Sequence, residues 1–279
     1  MIQCSVMGFG IAGEYRDYPA LDIIVQAMSG HMAITGEPGR SPVRVGIPLA
    51  DLSGGIFACK GILAALFDRE RNGQGRQVEL SMYDSMLNLL SYMGTMWLTN
   101  GELPTPPGSS HEYTVPWQAF QASDGYIVIA TRQEIFWRRL CAAMDAAHFA
   151  EAPRFATNAL RCENRALLVP QLEDLFRKRT VDDWLSRLRA AEVPAAPVNN
   201  LDRAFAEPPV AERGMIVEYD HPEVGRVRMP GNPIKMSGVT GTISKPAPLL
   251  GQHTDSVLTE LLSLSKERIA ALRASGAIR

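Results

Sequence analysis

The amino-acid sequence predicts an α/β fold in which helices connect the strands of a sheet. Three observations support this prediction. Residues 2–7 and 77–82 have the composition and alternation of strands, and a long apolar segment with helical periodicity lies between them. A further helix pattern, over residues 83–98, follows the second strand directly. Strand, helix, strand and helix in this order are typical of a sheet with crossover connections.

Composition limits the classes of partner. The chain has 279 residues, enough for one large domain or two smaller ones, and only 21% of them are charged. Its formal net charge of −2 gives no basic surface for nucleic acid. No uninterrupted apolar stretch is long enough to span a membrane, so we expect no membrane partner.

The cysteines and the first residues bear on the cellular compartment. Cys4, Cys59, Cys141 and Cys162 lie far apart and form no C-x-x-C pair, which argues against a disulfide framework. The N-terminus has no basic, apolar leader of the secretory type. We therefore expect a cytoplasmic protein with reduced thiols.

The first hundred residues surround one acidic residue. Gly8 and Gly10 break the first strand and indicate a turn more than a phosphate loop, since the third glycine of a dinucleotide fingerprint is absent. A short helix over residues 22–28 and a surface turn over residues 35–39 follow. Asp51 then stands at the entrance of the long helix.

The helix that follows Asp51 has an apolar face, which we expect to be buried. That face consists of Ile56, Cys59, Leu63, Leu66 and Phe67. A carboxylate at such a helix entrance is either an N-cap or a nucleophile, and position alone favours the cap. Free N–H groups and the helix dipole favour its ionised form in both cases.

A composition shift at residues 101–110, where Pro and Gly dominate, indicates a domain boundary. We divide the chain into residues 1–105, 106–234 and 235–279. Beyond the boundary the patterns predict strands, helices and an extended return segment. These are strand 126–130, helices 134–144, 164–177 and 184–191, edge strand 193–198, helix 201–205, hairpin 215–229, extended segment 230–248, and helices 255–264 and 266–274.

The sequence lacks the motifs of several common classes of enzyme site. The five histidines are scattered without metal-ligand spacing, so we expect no metal site. There is no G-x-S-x-G elbow and no Walker loop. Asp51 is the acidic residue that stands out from the surface charge.

The sequence resembles the class III CoA-transferases, the group of formyl-CoA transferase, carnitine CoA-transferase and α-methylacyl-CoA racemase. The similarity covers nearly the whole chain in the family's order. It is carried by MGFG at residues 7–10, IVQAMSG at 24–30, TGEP at 35–38, ADLSGG at 50–55, NGQGRQV at 72–78, DGYIVIA at 124–130, PRFATN at 153–158, PAAPVN at 194–199, RGM at 213–215 and LGQHT at 250–254.

The resemblance implies a fold, a substrate and a nucleophile. The implied fold is a partial nucleotide-fold (Rossmann-like) large domain with a smaller α+β domain. A coenzyme A thioester is the implied substrate, a small carboxylic acid is the acceptor, and no cofactor is tightly bound. Asp51 matches the family's nucleophilic aspartate, which overrides the preference for a cap.

The resemblance also implies binding residues and an assembly. Residues expected to contact CoA are Met7, Gly8, Phe9 and Gly10. Gly54 and Gly55, with Ser53, offer backbone donors near the developing oxyanion. Ser110 and His111 lie near the place where some members carry a glycine-rich lid, although the glycine run is absent here. Members form interlocked homodimers, so a homodimer is expected.

Two alternatives stay open at this point. The family's racemases use a His–Asp pair, but Leu21 occupies the position that aligns with that histidine, which disfavours racemisation. The family also carries a long N-terminal segment that holds the CoA nucleotide, and this chain begins after it. A truncated, non-catalytic paralogue is therefore the other alternative.

Overall fold

A computed structural model describes residues 1–239, 241 and 245–278. The chain divides into two compact units, Met1–Val198 and Asn199–Arg279, which are described separately. The boundaries 105/106 and 234/235, which the sequence suggests, stay a prediction.

The first unit combines helices with short strands. Its helices are α1 (Asp22–Met28), α2 (His31–Ile34), α3 (Leu49–Asn72), α4 (Met82–Leu89), α5 (Ser91–Asn100), α6 (Glu134–Ala143), α7 (His148–Glu151), α8 (Asn158–Glu163), α9 (Arg165–Phe176) and α10 (Val181–Ala190), with a 3₁₀ turn at Pro153–Phe155. Its strands are β1 (Gln3–Met7), β2 (Gln77–Ser81), β3 (Trp117–Gln121), β4 (Tyr126–Ala130) and β5 (Ala195–Pro197).

Strands β1 and β2 form a parallel pair, in register from Gln3 opposite Gln77 to Met7 opposite Ser81. Parallel neighbours need a crossover connection, and α3 lies in that connection and packs on both strands. The strand–helix–strand unit confirms the α/β class and the two predicted strands.

The buried face of α3 is not the predicted one. Its buried residues are small: Ala50, Ser53, Gly54, Ala58 and Ala65. Small side chains let the helix approach the strands closely, since an ideal Cβ on Gly61 would lie only 2.8 Å from Cγ1 of Val78.

The large apolar side chains of α3 point away from the strands. Ile56 is 69% exposed, Leu63 60% and Phe67 65%, and the Cys59 thiol is exposed as well. The expectation that this stripe is buried was therefore wrong for the chain as described, and only Leu66 of the five is partly buried.

Helix α3 is also long and apolar enough, by length and composition alone, to cross a membrane. A single such helix is weak evidence for a membrane, because core helices of water-soluble proteins meet the same criterion. The helix carries Asp51 and Lys60 within its first half.

Strands β3, β4 and β5 form an antiparallel sheet in that order, with β5 at an edge. Helices pack on it around a core that includes Phe120, Trp137 and Phe176. The fully buried Arg161 links separate segments of this part: its Nε donates to the Val115 carbonyl at 2.7 Å, and its Nη1 pairs with Glu134 at 2.7 Å. Strand β4 and the edge position of β5 agree with the sequence prediction.

The second unit contains a hairpin and short helices. Its elements are α11 (Leu201–Ala206), α12 (Pro208–Glu212), β6 (Ile216–His221), β7 (Gly225–Pro230), α13 (Thr254–Glu260) and α14 (Lys266–Ala274). The antiparallel β6–β7 pair confirms the predicted hairpin. The extended segment predicted for residues 230–248 falls partly on 240 and 242–244, which lie outside the described residues.

Candidate active site

Asp51 lies in the first turn of α3. The helix begins after Pro48, which occupies the N-cap position without a side-chain cap, so Asp51 is the third helical residue. Its side chain is exposed, and among the described residues its carboxylate makes no hydrogen bond or ion pair. The capping interpretation is therefore wrong, because a capping carboxylate would accept a backbone N–H bond.

The start of α3 lies at the carboxyl ends of the two parallel strands. An ideal Cβ on Gly54 would lie 3.3 Å from Cγ of Met82, which directly follows β2, and 3.8 Å from Cγ1 of Val6 near the end of β1. The helix thus runs back along the strands from their carboxyl ends, where α/β folds bind ligands. Asp51 stands at this edge.

The segment expected to contact CoA follows β1 at the same edge. The Gly8 carbonyl accepts a hydrogen bond from the Tyr83 N–H at 3.0 Å and one from Ser81 Oγ at 3.4 Å. Gly10 has φ = +93°, a left-handed value that favours glycine. These bonds fix the loop beside the first turn of α4.

An aromatic cluster covers this loop. The Phe9 ring lies 5.7 Å from Tyr15, 5.8 Å from Tyr18 and 5.8 Å from Tyr83, measured between ring centroids. Tyr15 and Tyr18 are about half exposed, so the cluster presents ring faces and edges to solvent. Contact of Met7, Gly8, Phe9 and Gly10 with CoA stays a prediction.

Gly54 and Gly55 lie beyond the first turn of α3, whereas an oxyanion site at the helix start needs backbone N–H groups from the first turn. Only the first N–H groups of a helix lack partners within it, and both glycines follow that turn. The free donor at this helix end is the backbone N–H of Asp51 itself, which has no partner among the described residues. Substrate binding by the two glycines stays a prediction. Their contribution to binding would be the space left where other residues have a side chain.

Ser110 and His111 lie between two short turns, at residues 108–109 and 112–113, that precede β3. Ser110 Oγ donates to Gln118 Oε1 at 3.3 Å, and the His111 ring lies 5.0 Å from the Trp117 ring. Ser110 also lines a groove of about 620 Å³ together with Glu37 and Arg165. The residues that line this groove do not include Asp51, so a shared site for Ser110, His111 and Asp51 stays a prediction.

Two polar residues lie near Asp51 that the sequence pattern does not mark as functional. Asp22 Oδ1 accepts a hydrogen bond from the Ala50 N–H at 2.8 Å, and Gln26 Oε1 accepts one from the Val45 N–H at 2.9 Å. The sequence offers only a weak signal for them, an aspartate and a glutamine four positions apart in one short helical segment. Their hydrogen-bond partners, Ala50 and Val45, come after α2 and the loop that follows it.

A metal centre is not seen in the part of the chain that the structure describes. There, no three His, Cys, Asp or Glu side chains are grouped so as to hold an ion.

Comparison with known proteins identifies the family. The family model for CoA-transferase family III matches residues 1–254. Human succinyl-CoA:glutarate CoA-transferase is 32% identical over 278 residues, which is 100% of this chain and 64% of the human protein. Acetyl-CoA:oxalate CoA-transferase of Acetobacter aceti is 38% identical over 255 residues, covering 91% of this chain and 64% of that protein.

Solved structures give the same result. A CAIB/BAIF family protein from Brucella suis superposes with a TM-score of 0.82 at 32% identity, covering 94% of this chain and 68% of that one. The protein Rv3272 from Mycobacterium tuberculosis gives a TM-score of 0.81 at 26% identity, over 92% and 68% of the two chains. This chain thus spans somewhat under two thirds of the curated relatives named above and belongs to CoA-transferase family III.

Proposed function

We propose that the protein transfers coenzyme A from an acyl-CoA thioester to a small carboxylic acid, with Asp51 as the covalent nucleophile. The observation that carries this proposal is the exposed Asp51 carboxylate, which has no partner among the described residues and stands at the N-terminus of α3. The carboxyl edge of parallel strands is where such folds hold ligands. The names of the relatives support CoA transfer as the reaction class.

The first half of the reaction forms an aspartyl-CoA thioester. A carboxylate oxygen of Asp51 attacks the thioester carbonyl, the C–S bond breaks, and a mixed anhydride and CoA thiolate result. The thiolate then attacks the Asp51 carbonyl carbon of the anhydride. The donor acid leaves as its carboxylate, and CoA remains bound to Asp51 through a thioester.

The second half reverses these steps with the acceptor. The acceptor carboxylate attacks the aspartyl thioester, which gives a new anhydride and CoA thiolate. The thiolate attacks the acceptor's carbonyl carbon, so the new acyl-CoA forms and the Asp51 carboxylate is regenerated. Charge is conserved at every step, and no water or proton is consumed.

The helix N-terminus supports this chemistry electrostatically. The dipole of α3 favours the negative charge of the resting carboxylate. The free N–H of Asp51 is a donor at the same end of the helix, where negative charge develops on the carbonyl oxygens during the attack.

The racemase alternative lacks a second proton-transfer group. Leu21, at the position of the family's racemase histidine, is apolar and 70% exposed. Removal and return of a proton at the α-carbon from opposite faces needs two groups that can hold it. CoA transfer uses the Asp51 carboxylate as its nucleophile and needs no second proton-transfer group.

Substrates, assembly and location complete the proposal. The relatives' names point to succinyl-CoA or acetyl-CoA as donors and to dicarboxylates such as glutarate and oxalate as acceptors.

A homodimer is supported by the exposed apolar stripe Ile56, Cys59, Leu63 and Phe67, since contiguous apolar surface marks interaction sites. Four free cysteine thiols support a cytoplasmic location.

The proposal is tested by exchange assays on the 279-residue chain. Succinyl-CoA and acetyl-CoA are each incubated with glutarate, oxalate or mesaconate, and new CoA esters are separated by chromatography. We expect exchange with at least one pair, and a loss of about a thousand-fold or more in Asp51→Ala, as for other removed nucleophiles.

The matched control is Glu70→Ala, which removes an exposed carboxylate from the far end of the same helix. We expect it to retain exchange. Retained exchange in Asp51→Ala would exclude Asp51 as the nucleophile. Absence of exchange with every pair would favour the non-catalytic paralogue.

A further inference from the structure

We infer that Asp22 and Gln26 are positioning residues for Asp51, because together they hold the turn that leads into the nucleophile. The inference rests on the proposed function, in which Asp51 is the attacking group. The turn comprises residues 45–50, and both positioning residues come from α1.

The position of Asp51 depends on its backbone. Its side chain has no partner among the described residues, so no side-chain bond holds the carboxylate in place. The residue before it, Ala50, is fully buried and bound at both polar groups. Its N–H donates to Asp22 Oδ1 at 2.8 Å, and its carbonyl accepts from Ser53 Oγ at 3.1 Å.

Gln26 holds the earlier part of the same turn. Its side chain is fully buried, and its Oε1 accepts from the Val45 N–H at 2.9 Å. Its Nε2 donates to Asp22 Oδ2 at 2.7 Å and to the Ile47 carbonyl at 3.4 Å. Reversing the amide would set its NH₂ against the Val45 N–H, so this network fixes the orientation.

The network therefore requires a carboxylate at position 22. Both oxygens of Asp22 accept hydrogen bonds, one from Ala50 and one from Gln26. Asparagine offers one acceptor and one donor, so either orientation of its amide sets two donors against each other. Glutamate keeps both acceptors on a longer side chain.

The kinetic test compares Asp22→Asn with Asp22→Glu in the exchange assay. A nucleophile displaced by about 1 Å loses up to roughly 100-fold in rate, so we expect Asp22→Asn to lower kcat about 10- to 100-fold. KM for the acyl-CoA should stay the same, and Asp22→Glu should retain more kcat than Asp22→Asn. The control is Asp17→Asn, because Asp17 is exposed and, within the described part of the chain, its carboxylate pairs with the neighbouring exposed Arg16.

A second measurement needs no activity. Hydrogen exchange of residues 45–52, followed in a peptide that begins at least two residues before Val45, reports on the Val45 and Ala50 amides, and we expect faster exchange in Asp22→Asn than in Asp17→Asn. An inactive parent protein would count against the proposed function, and this exchange rate would still decide whether Asp22 holds the turn.

Three results would overturn the inference. The first is an unchanged kcat in Asp22→Asn, and the second is unchanged exchange of the 45–52 peptide. The third is a fall in kcat that follows the loss of folded protein in urea titrations, since that indicates a structural role alone.

Discussion

Two aspartates meet the N-terminus of α3, and they differ in their bonding. Asp22 uses both oxygens as acceptors and satisfies the Ala50 N–H, whereas the Asp51 carboxylate has no partner among the described residues. An unmatched carboxylate in the first turn adds only about 0.3–1 kcal/mol through the helix dipole. Asp22 therefore holds the turn through hydrogen bonds, whereas the Asp51 carboxylate is not engaged by such bonds.

The sequence could predict one of these residues but not the other. Asp51 comes directly before an apolar periodic segment, which is a local signal. Asp22 acts on a residue 28 positions away, so its role depends on how α1 packs against the turn. That packing cannot be predicted from the residue pattern of a single sequence.

His31 provides a pH test at the residue scale. The ring is buried in α2, with Nδ1 3.1 Å from Ser29 Oγ, and burial lowers its pKa from the ordinary 6.5. The unfolded chain therefore binds a proton near pH 6.5 that the folded chain resists. The stability that this group contributes is therefore fully present above pH 6.5. It is lost as the pH falls through the lower pKa that His31 has in the folded protein.

We expect the free energy of unfolding to fall more between pH 7.5 and pH 5.5 in the parent protein than in His31→Gln. The difference is measured by urea denaturation at both pH values. His148→Gln, which changes an exposed histidine, is the control and should follow the parent. Equal losses in all three proteins would show that His31 does not contribute.

At the scale of elements, α3 shows where hydrophobic periodicity misleads. Large apolar residues dominate such a pattern, so it predicts that the stripe Ile56, Cys59, Leu63, Leu66 and Phe67 is the buried face. The strands instead contact the small residues, because close helix–strand packing leaves no room for larger side chains. The helix itself was predictable, and its orientation was not.

This orientation has a measurable consequence. Leu63→Gln changes a side chain that is 60% exposed, so we expect it to alter the free energy of unfolding by only about 0.5 kcal/mol. Met86→Ala empties a fully buried position and should cost about 2–5 kcal/mol. Urea denaturation at low protein concentration measures both. A loss in Leu63→Gln as large as that in Met86→Ala would mean that this face of α3 is buried.

Helix boundaries were predicted unevenly. Helix α1 and strand β4 have the predicted bounds, whereas α10 begins at Val181, three residues before the predicted start, where Thr180 caps it by accepting from the Asp183 N–H. The single helix predicted over residues 83–98 is instead two helices, with a break at Leu90, directly before Ser91. Ser91 has φ = +53°, and no glycine or proline signals this left-handed residue.

On the scale of the whole molecule, hydrophobic burial is unevenly distributed. An extensive core lies between Val115 and Val193 and includes Trp137, Trp184 and Phe155. In the described part of the chain, the cluster beside Asp51 has only Val25, Ala50 and Met86 as buried members. Since burial of apolar surface is the main stabilising term, the two regions should differ in local stability.

Hydrogen–deuterium exchange with mass spectrometry tests this difference. We expect peptides from β4, α6 and α10 to exchange more slowly than peptides from β1 and α1, by an order of magnitude or more, because local opening is easier where the core is thin. Addition of an acyl-CoA should slow exchange near residues 7–10 and 45–52. Uniform protection across residues 1–198 would contradict this view.

The family and the α/β class could be predicted from the sequence, since the motifs and the strand–helix–strand order are local. The predicted binding residues Gly54, Gly55, Ser110 and His111 depend on long-range packing. The structure sets Gly54 and Gly55 beyond the first turn of α3, and Ser110 beside a groove whose lining does not include Asp51. Such relations arise from tertiary packing, which residue spacing does not specify.

The most direct test of the central claim is mass spectrometry of the protein after mixing with succinyl-CoA or acetyl-CoA without an acceptor. We expect an added mass of one CoA less one water, located on the peptide that contains Asp51, absent in Asp51→Ala and removed by hydroxylamine. No adduct at saturating donor, or an adduct on another residue, would contradict covalent transfer through Asp51.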